Sequence, residues 1–212
     1  DSEFRFYISM LAVIGLITVL FLFFSGIYNL QDSVFKGLFE VVSIATTTGF
    51  SSADFSVWPT FLPFLLFYMA FVGACAGSTG GGMKVIRVIL IIKHGFREID
   101  KLIHPNAVIP IKLGNHRVPD RVLESVWGFF SVYVMVYMVM LLACLAVDMD
   151  ITTAFTAVGA SINNLGPGLG EVAQNYGAIP DAAKWILCLG MLLGRLEVFT
   201  LLVLFSPHFW RS

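Results

Sequence analysis

The sequence predicts an all-α membrane protein in which a membrane helix, a short re-entrant segment and a second membrane helix follow one another twice. Three observations lead to this fold class: an apolar composition, two uninterrupted runs of membrane length, and two short segments that each end in a glycine-containing loop. Of the 212 residues, 58% are hydrophobic and 13% are charged, whereas a soluble domain has roughly 45–50% apolar and 25% charged residues. Membrane lipid is therefore the expected surrounding of this chain.

Two runs are long enough to cross a bilayer without interruption. Neither Phe6–Tyr28 nor Ser125–Val147 contains a charged residue. A helix rises about 1.5 Å per residue, and the hydrocarbon core of a bilayer is about 30 Å thick. Both runs are therefore predicted to be membrane-spanning helices.

Two further apolar regions are interrupted. Ser56–Met83 carries no charge, but its portion Gly73–Gly82 contains five glycines. A helix that ends before these glycines would rise only about 22 Å, so it is predicted to break inside the membrane. The other region, Trp185–Phe209, is long enough to cross but contains Arg195 and Glu197.

Between each spanning helix and the interrupted region lies a segment too short to cross. Ser33–Ala45 and Thr152–Ile162 would each form a helix of about 11–13 residues. The stretches that follow, Thr46–Phe50 and Asn163–Pro167, contain glycine and cannot continue as helix. Non-helical backbone at membrane depth is tolerated only where protein buries it or where it lines a watery cavity. Both stretches are therefore predicted to be re-entrant loops.

These loops have the chemistry of a potassium filter. A dehydrated potassium ion needs a ring of oxygen ligands, which backbone carbonyls of an extended loop can supply. Gly49 and Gly166 permit the backbone geometry that turns carbonyls inward, and each short helix would point its partially negative C-terminal end at the loop. Potassium, as the transported ion, is the metal ion expected at these loops, and no further cofactor is expected. The predicted filter residues are Thr46, Thr47, Thr48, Gly49, Asn163, Asn164, Leu165 and Gly166.

Charge predicts the orientation of the chain. Eight of the thirteen Lys and Arg residues lie within Lys84–Arg121, and cytoplasmic loops carry an excess of such residues. This linker, and both ends of the chain, are therefore expected in the cytoplasm, and both loops would enter from outside. The carboxylates expected on the outer side are Asp32, Asp54, Asp148, Asp150, Glu171 and Asp181. They would form a vestibule that concentrates cations, or they merely solvate the outer loops.

Three motifs carry a resemblance to a known family. Ala45–Phe50, Gly73–Lys84 and Met191–Phe205 together look like the TrkH family of bacterial potassium uptake proteins (the TrkH and TrkG type), and the similarity runs over nearly the whole chain. Members of that family carry four membrane–pore–membrane repeats around one pore, a pseudo-fourfold ion channel fold, and usually dimerise. The resemblance covers only the last two repeats, so this chain lacks the first two filters and cannot close a pore by itself.

The resemblance also implies a division of the chain. Residues 1–99 would be the third repeat, 100–121 a basic cytoplasmic linker and 122–212 the fourth repeat. The protein would lie in the bacterial inner membrane as a homodimer and would bind a cytoplasmic nucleotide-binding regulatory ring of the TrkA type. A basic linker also follows from membrane topology alone, so the residues themselves do not establish that ring.

The glycine-rich loop and one arginine are implied to form a gate. The implied gate residues are Gly77, Ser78, Thr79, Gly80, Gly81, Gly82 and Arg195. Independently of the resemblance, Arg195 would lie near the bilayer centre, where an arginine costs roughly 2.5–3.5 kcal/mol and should face a cavity or a partner. Two other interpretations remain open: an ion pair of Arg195 with the absent half, and a packing hinge at the glycines. Nucleotide binding is not expected, because Lys84 follows Met83 and the required Gly-Lys-Ser/Thr is missing.

The favoured function is therefore potassium uptake through a gated, carbonyl-lined filter. The alternative is a potassium transporter coupled to proton or sodium symport, a class that also uses broken helices and often carries carboxylates at mid-membrane. Only Glu40 and Glu197 could serve in that way. A purely structural subunit is a third reading. No protease pattern suggests an enzyme, and a net charge of −1 argues against nucleic acid.

Overall fold

The computed structural model describes residues 2–59, 61–78, 80–114 and 116–196. Within these ranges the chain is a succession of helices with one short hairpin in the linker. The α-helices are α1 (Ser2–Phe24), α2 (Leu30–Ala45), α3 (Phe61–Val72), α4 (Val85–Ile103), α5 (Asp120–Leu145), α6 (Ile151–Ile162) and α7 (Asp181–Arg195). The hairpin pairs β1 (Lys112–Leu113) with β2 (His116–Arg117), and single 3-10 turns cover Phe55–Val57 and Gly170–Val172.

Two of the described helices, α1 and α5, are long and apolar enough to cross a membrane by length and composition. The first boundary prediction, Phe6–Tyr28, is four residues off, because the helix ends before Gly26, whose φ of 68° is left-handed. Helix α5 starts earlier than Ser125 because Pro119, at its N-cap, fits the start of a helix. Both helices leave large apolar side chains exposed, such as Leu16 and Leu142 at 60% and 65%, as suits contact with lipid.

Helix α3 ends inside the apolar region, as predicted. Its twelve residues rise only about 18 Å, and it ends at Gly73, whose φ is 71°. A Cβ atom at Gly73 would lie 2.5 Å from the Gly81 carbonyl oxygen, so the chain after α3 folds back against the glycine-rich loop. Helix α3 begins at Phe61 rather than at the start of the apolar region, because Phe55–Val57 forms a 3-10 turn and Trp58 has extended backbone geometry.

The two short helices, α2 and α6, differ in burial: α6 is enclosed by its neighbours, whereas α2 is buried on one side only. Helix α6 agrees with the predicted Thr152–Ile162, and its residues from Thr153 to Ile162 are buried apart from the half-buried Phe155. Helix α2 has sixteen residues rather than the predicted 11–13, because Asn29 caps it by accepting a 2.8 Å hydrogen bond from the Asp32 amide. Asp150 caps α6 in the same way, from the Thr152 amide at 3.0 Å.

The linker packs against the ends of α4 and α5. Helix α4 continues to Ile103, past the predicted start of the linker at residue 100. Arg97 on α4 forms an ion pair of 2.8 Å with Asp120 at the start of α5. This ion pair holds the end of α4 against the start of α5.

Candidate ion-conduction site

The two re-entrant loops share one backbone conformation at positions 117 residues apart. Thr47 and Asn164 have left-handed φ angles of 55° and 53°, and Gly49 and Gly166 have φ angles of 79° and 102°. In both loops three successive amides donate to carbonyls at the end of the preceding helix. The matched bonds are Thr46–Val42 and Asn163–Gly159 at 3.0 Å, Thr47–Ile44 and Asn164–Ser161 at 3.1 Å, and Thr48–Ser43 and Leu165–Ala160 at 2.9 Å. The predicted correspondence of the loops therefore extends to individual hydrogen bonds.

The two loops lie against each other. A Cβ atom at Gly49 would overlap the carbonyl oxygen of Leu165 and lie 3.4 Å from Cδ of Pro167. Only glycine fits this approach, and its positive φ also favours glycine. Above the contact, a cavity of about 650 Å³ is lined by residues 49–55 and by Gly166, Pro167 and Tyr176, among others. The predicted filter segments are thus brought together at the floor of one cavity.

Side chains around the loops hold them in place. Thr46 Oγ1 lies 2.7 Å from both the Val42 carbonyl oxygen and Thr48 Oγ1, so these two threonine hydroxyls are engaged with the chain itself. In the loop Asn163–Pro167, the Tyr133 hydroxyl donates to Asn163 Oδ1 at 2.7 Å, and the Tyr176 hydroxyl donates to the Gly166 carbonyl at 2.6 Å. The sequence analysis identifies neither tyrosine: Tyr133 lies thirty residues before Asn163, and Tyr176 reaches back to Gly166 over ten residues of irregular chain.

The glycine-rich loop lies directly against both filter loops. The Gly81 amide donates to Thr47 Oγ1 at 3.2 Å, and a Cβ atom at Gly81 would overlap the carbonyl oxygen of Asn163. A Cβ atom at Gly80 would lie 3.5 Å from the Thr46 carbonyl oxygen. Gly77 has open space around its Cα, and Ser78 bonds locally to Cys75. Of the implied gate residues, Gly80 and Gly81 therefore contact the predicted filter loops, and Thr79 lies outside the described residues.

Lys84 holds the glycine-rich loop in place by hydrogen bonds to its backbone. Its Nζ atom donates to the carbonyl oxygens of Ser78 at 2.5 Å and Gly80 at 3.0 Å. Lys84 itself has a φ of 64°, a conformation that non-glycine residues seldom adopt. The sequence offers one signal for this role, a lysine directly after a glycine-rich apolar segment, but the sequence analysis assigns Lys84 to the basic linker and not to a contact with this loop.

Arg195 and the glycine-rich loop line the same cavity. This cavity, of about 290 Å³, is bounded by Ser78, Gly80–Gly82, Lys84, Arg87, Tyr133 and Arg195, among others. Arg195 is the last residue of α7, and a Cβ atom on the preceding Gly194 would overlap the Ile162 carbonyl oxygen. The end of α7 thus packs against the end of α6, next to Asn164 of the predicted filter. Glu197 lies outside the described residues.

The outer carboxylates have structural roles in several cases. Asp54 lines the outer cavity, yet its Oδ1 accepts a 3.0 Å hydrogen bond from the Ser56 amide. Asp150 caps α6, and Asp181 pairs with Lys184 at 2.9 Å. The hydrogen bond from Lys184 lowers the pKa of Asp181. The described geometry therefore gives these three acids local partners, whether or not they also attract cations.

Comparison with known proteins places the chain among bacterial transporters. The TrkH family model, described as a cation transport protein, matches residues 8–212. The Trk system potassium uptake proteins TrkH of Halomonas elongata and Escherichia coli are 56% and 53% identical to this chain over its whole length. The crystal structure of the potassium transporter TrkH from Vibrio parahaemolyticus superimposes with a TM-score of 0.94 at 50% identity. This likeness confirms the predicted fold class of tandem helix–re-entrant loop–helix repeats.

The chain spans less than half of these relatives. It covers 44% of each of the two TrkH sequences and 45% of the crystallised chain, while all of this chain is matched in each case.

Proposed function

Because this chain belongs to the TrkH family of cation transport proteins, we propose that it forms two quarters of a pathway for potassium uptake across the bacterial inner membrane. The ion would pass between carbonyl oxygens of the loops at Thr46–Gly49 and Asn163–Gly166. The contact between Gly49 and the Leu165 carbonyl carries this proposal, since it brings two loops of the same conformation to one axis.

Two further loops would complete the ring of oxygens that replaces the hydration shell of potassium. The outer face of α2 supports the presence of more protein at this site. Phe35, Phe39 and Val42 are 69%, 47% and 49% exposed and line an apolar groove of about 530 Å³ together with Thr46 and Thr48. A surface this apolar beside a filter loop suits packing against two preceding repeats. Residues 1–99 and 122–212 would then be the third and fourth repeats, joined by the linker 100–121.

The gate of this pathway is assigned to Gly77–Gly82 and Arg195. The guanidinium of Arg195 stays charged at any physiological pH, and it shares a small cavity with Gly80–Gly82 immediately under the filter. Its fixed positive charge would repel a cation that enters this cavity. The contacts of Gly80 and Gly81 with Thr46, Thr47 and Asn163 support the same role, because they fill the space through which an ion would leave the filter.

Family membership extends the proposal to the assembly. The complete protein would be a multi-pass homodimer with both ends in the cytoplasm, and a nucleotide-binding ring of the TrkA type would dock near the basic linker. Charged side chains of both signs would be available to such a partner beside the linker, where Lys101, Arg117 and Arg97 line one cavity together with Asp120 and Glu124. The alternative is coupled potassium transport with protons or sodium. Rubidium flux into liposomes that persists without a proton or sodium gradient would exclude obligatory coupling.

The filter assignment is tested by Gly49→Ser in the complete four-repeat protein. The added side chain would meet the Leu165 carbonyl, so we expect the preference for potassium over sodium to fall by about tenfold, which equals about 1.4 kcal/mol. Gly26→Ser is the matched control, because Gly26 has a similar φ of 68° but no neighbour within 4 Å of its Cβ position. Unchanged selectivity in Gly49→Ser, with normal expression and flux, would remove this loop from the filter.

A further inference from the structure

Glu40 lies completely buried on α2, behind the third-repeat filter loop. A single carboxylate oxygen, Oε1, accepts hydrogen bonds from the chain that leaves this loop. The donors are the Ser52 amide at 2.6 Å, the Ser51 hydroxyl at 3.0 Å, the Ala53 amide at 3.1 Å and the Ser52 hydroxyl at 3.2 Å. Hydrogen bonds to a carboxylate are stronger than those between neutral groups. Glu40 therefore bonds the segment that directly follows the filter loop in the chain, Ser51–Ala53, to helix α2, which precedes the loop.

The fourth-repeat loop is tied at the equivalent point by a different group. Thr156 Oγ1 accepts a 2.9 Å hydrogen bond from the Leu169 amide. Leu169 is the third residue after Gly166, as Ser52 is the third residue after Gly49. In both repeats, then, a side chain of the short helix holds the amide three residues beyond the loop glycine. Such a bond limits how far the loop can widen.

The two repeats differ in the chemistry of this tie. Ala157 stands 117 residues after Glu40 and is also fully buried, so the carboxylate is not a feature common to both repeats. Burying a carboxylate is costly unless hydrogen bonds compensate it. Four donors meet Oε1, whereas Oε2 is buried without a hydrogen-bond partner among the described residues. The hydrogen bonds that offset the burial of Glu40 are therefore all made by Oε1, to the segment Ser51–Ala53.

We propose that Glu40 is a positioning residue that sets the potassium-over-sodium preference by holding Ser51–Ala53, the segment that follows the third-repeat filter loop, in a fixed place. This role depends on the length of the side chain, which places Oε1 within hydrogen-bond distance of Ser51–Ala53, and not on its negative charge. The inference rests on the proposed filter function of Thr46–Gly49. The carboxylate contacts backbone and serine groups of the loop exit, so it acts on the ion through the loop.

Two conservative variants of the complete protein separate reach from charge. Glu40→Gln keeps the length and the Oε1 acceptor but loses the charge, whereas Glu40→Asp keeps the charge and withdraws the acceptor by one methylene. We expect Glu40→Gln to retain the potassium-over-sodium ratio within about twofold and Glu40→Asp to lower it by about tenfold, as for the loss of one strong hydrogen bond. The readout is the ratio of rubidium to sodium flux in liposomes, at equal amounts of folded protein. Glu124→Gln, at an exposed position on α5, is the control for charge.

The outcomes identify which assignment fails. A wild-type ratio in Glu40→Asp, or a lost ratio in Glu40→Gln, would overturn the positioning role. If Gly49→Ser lowers selectivity in the same liposomes while Glu40→Asp does not, only the inference about Glu40 falls. If Gly49→Ser also leaves selectivity unchanged, the filter assignment itself is wrong.

Discussion

The hydroxyl of Tyr133 donates a 2.7 Å hydrogen bond to Oδ1 of Asn163. This bond joins the middle of helix α5 to the first residue of the loop Asn163–Pro167. Tyr133 and Asn163 are both buried, at 5% and 0% exposure, so water cannot replace the bond when it is lost. The position of this loop therefore depends on α5, although α5 supplies none of the predicted filter carbonyls.

Replacing Tyr133 with phenylalanine should disturb the loop and the ion preference. The variant leaves Asn163 Oδ1 buried without its donor, at a cost of about 1–3 kcal/mol. We expect a lower unfolding temperature in detergent and a lower potassium-over-sodium flux ratio. Tyr137→Phe is the matched control, because Tyr137 donates an equally long bond to the Phe155 carbonyl of α6 but does not reach the loop. Equal effects of the two variants on selectivity would contradict a specific role for Tyr133.

Replacing Gly81 with alanine should push the glycine-rich loop away from the filter. Its Cβ atom would overlap the Asn163 carbonyl oxygen, so the loop cannot keep its present place. We expect a higher rubidium flux than in the wild type, measured in liposomes at equal protein content. Gly77→Ala is the comparison, since Gly77 lies in the same loop with open space around its Cβ position, although its φ of 84° is left-handed and that of Gly81 is not. A smaller flux change in Gly81→Ala than in Gly77→Ala would refute the contact as an obstruction.

Removing the positive charge of Arg195 should ease ion passage. Arg195→Ala takes the guanidinium out of the cavity below Gly80–Gly82, and we expect rubidium flux to rise about tenfold or more. Arg195→Lys keeps the charge and should leave flux nearer to the wild-type level. Unchanged or lower flux in Arg195→Ala, with normal expression, would exclude Arg195 from the gate and favour a structural ion pair.

The Tyr176 hydroxyl should hold the Gly166 carbonyl over a wide pH range. Burial raises the pKa of Tyr176 from 10.0 to about 12. A phenol whose pKa is higher in the folded protein contributes stability below the unfolded value, and this contribution is lost as pH rises through the folded value. We therefore expect the wild type to be more stable than Tyr176→Phe below pH 10 and to lose this advantage between about pH 10 and 12. Thermal unfolding in detergent measures it, and an advantage that persists above pH 12 would refute the assignment.

Local sequence signals were sufficient for the membrane elements and the loops. The charge-free runs indicate α1 and α5, and the glycines after α3 indicate its early end. Helix ends were less predictable, because the Asn29 cap that lengthens α2 depends on one side-chain hydrogen bond. The two loops were predicted as a pair from their glycines and flanking helices, and the structure places these loops in contact.

The residues that support the site could not be predicted in the same way. Tyr133 and Asn163 are thirty residues apart, and their bond depends on how α5 packs beside α6. Glu40 was considered only as a carboxylate for proton transfer, because its partners Ser51–Ala53 become neighbours only after the loop turns back. No short-range pattern encodes such contacts, which arise from the packing of helices already formed.

The contacts of Gly81 imply that cation binding in the proposed pathway affects the position of the glycine-rich segment. The Gly81 amide bonds to Thr47 in one filter loop, and its Cα lies against the Asn163 carbonyl of the other. Any outward swing of the glycine-rich segment must therefore break the bond with Thr47 of the predicted filter and uncover the Asn163 carbonyl. Linkage requires that such effects be mutual: a cation that binds more tightly once those oxygens are released also favours the swung-out arrangement.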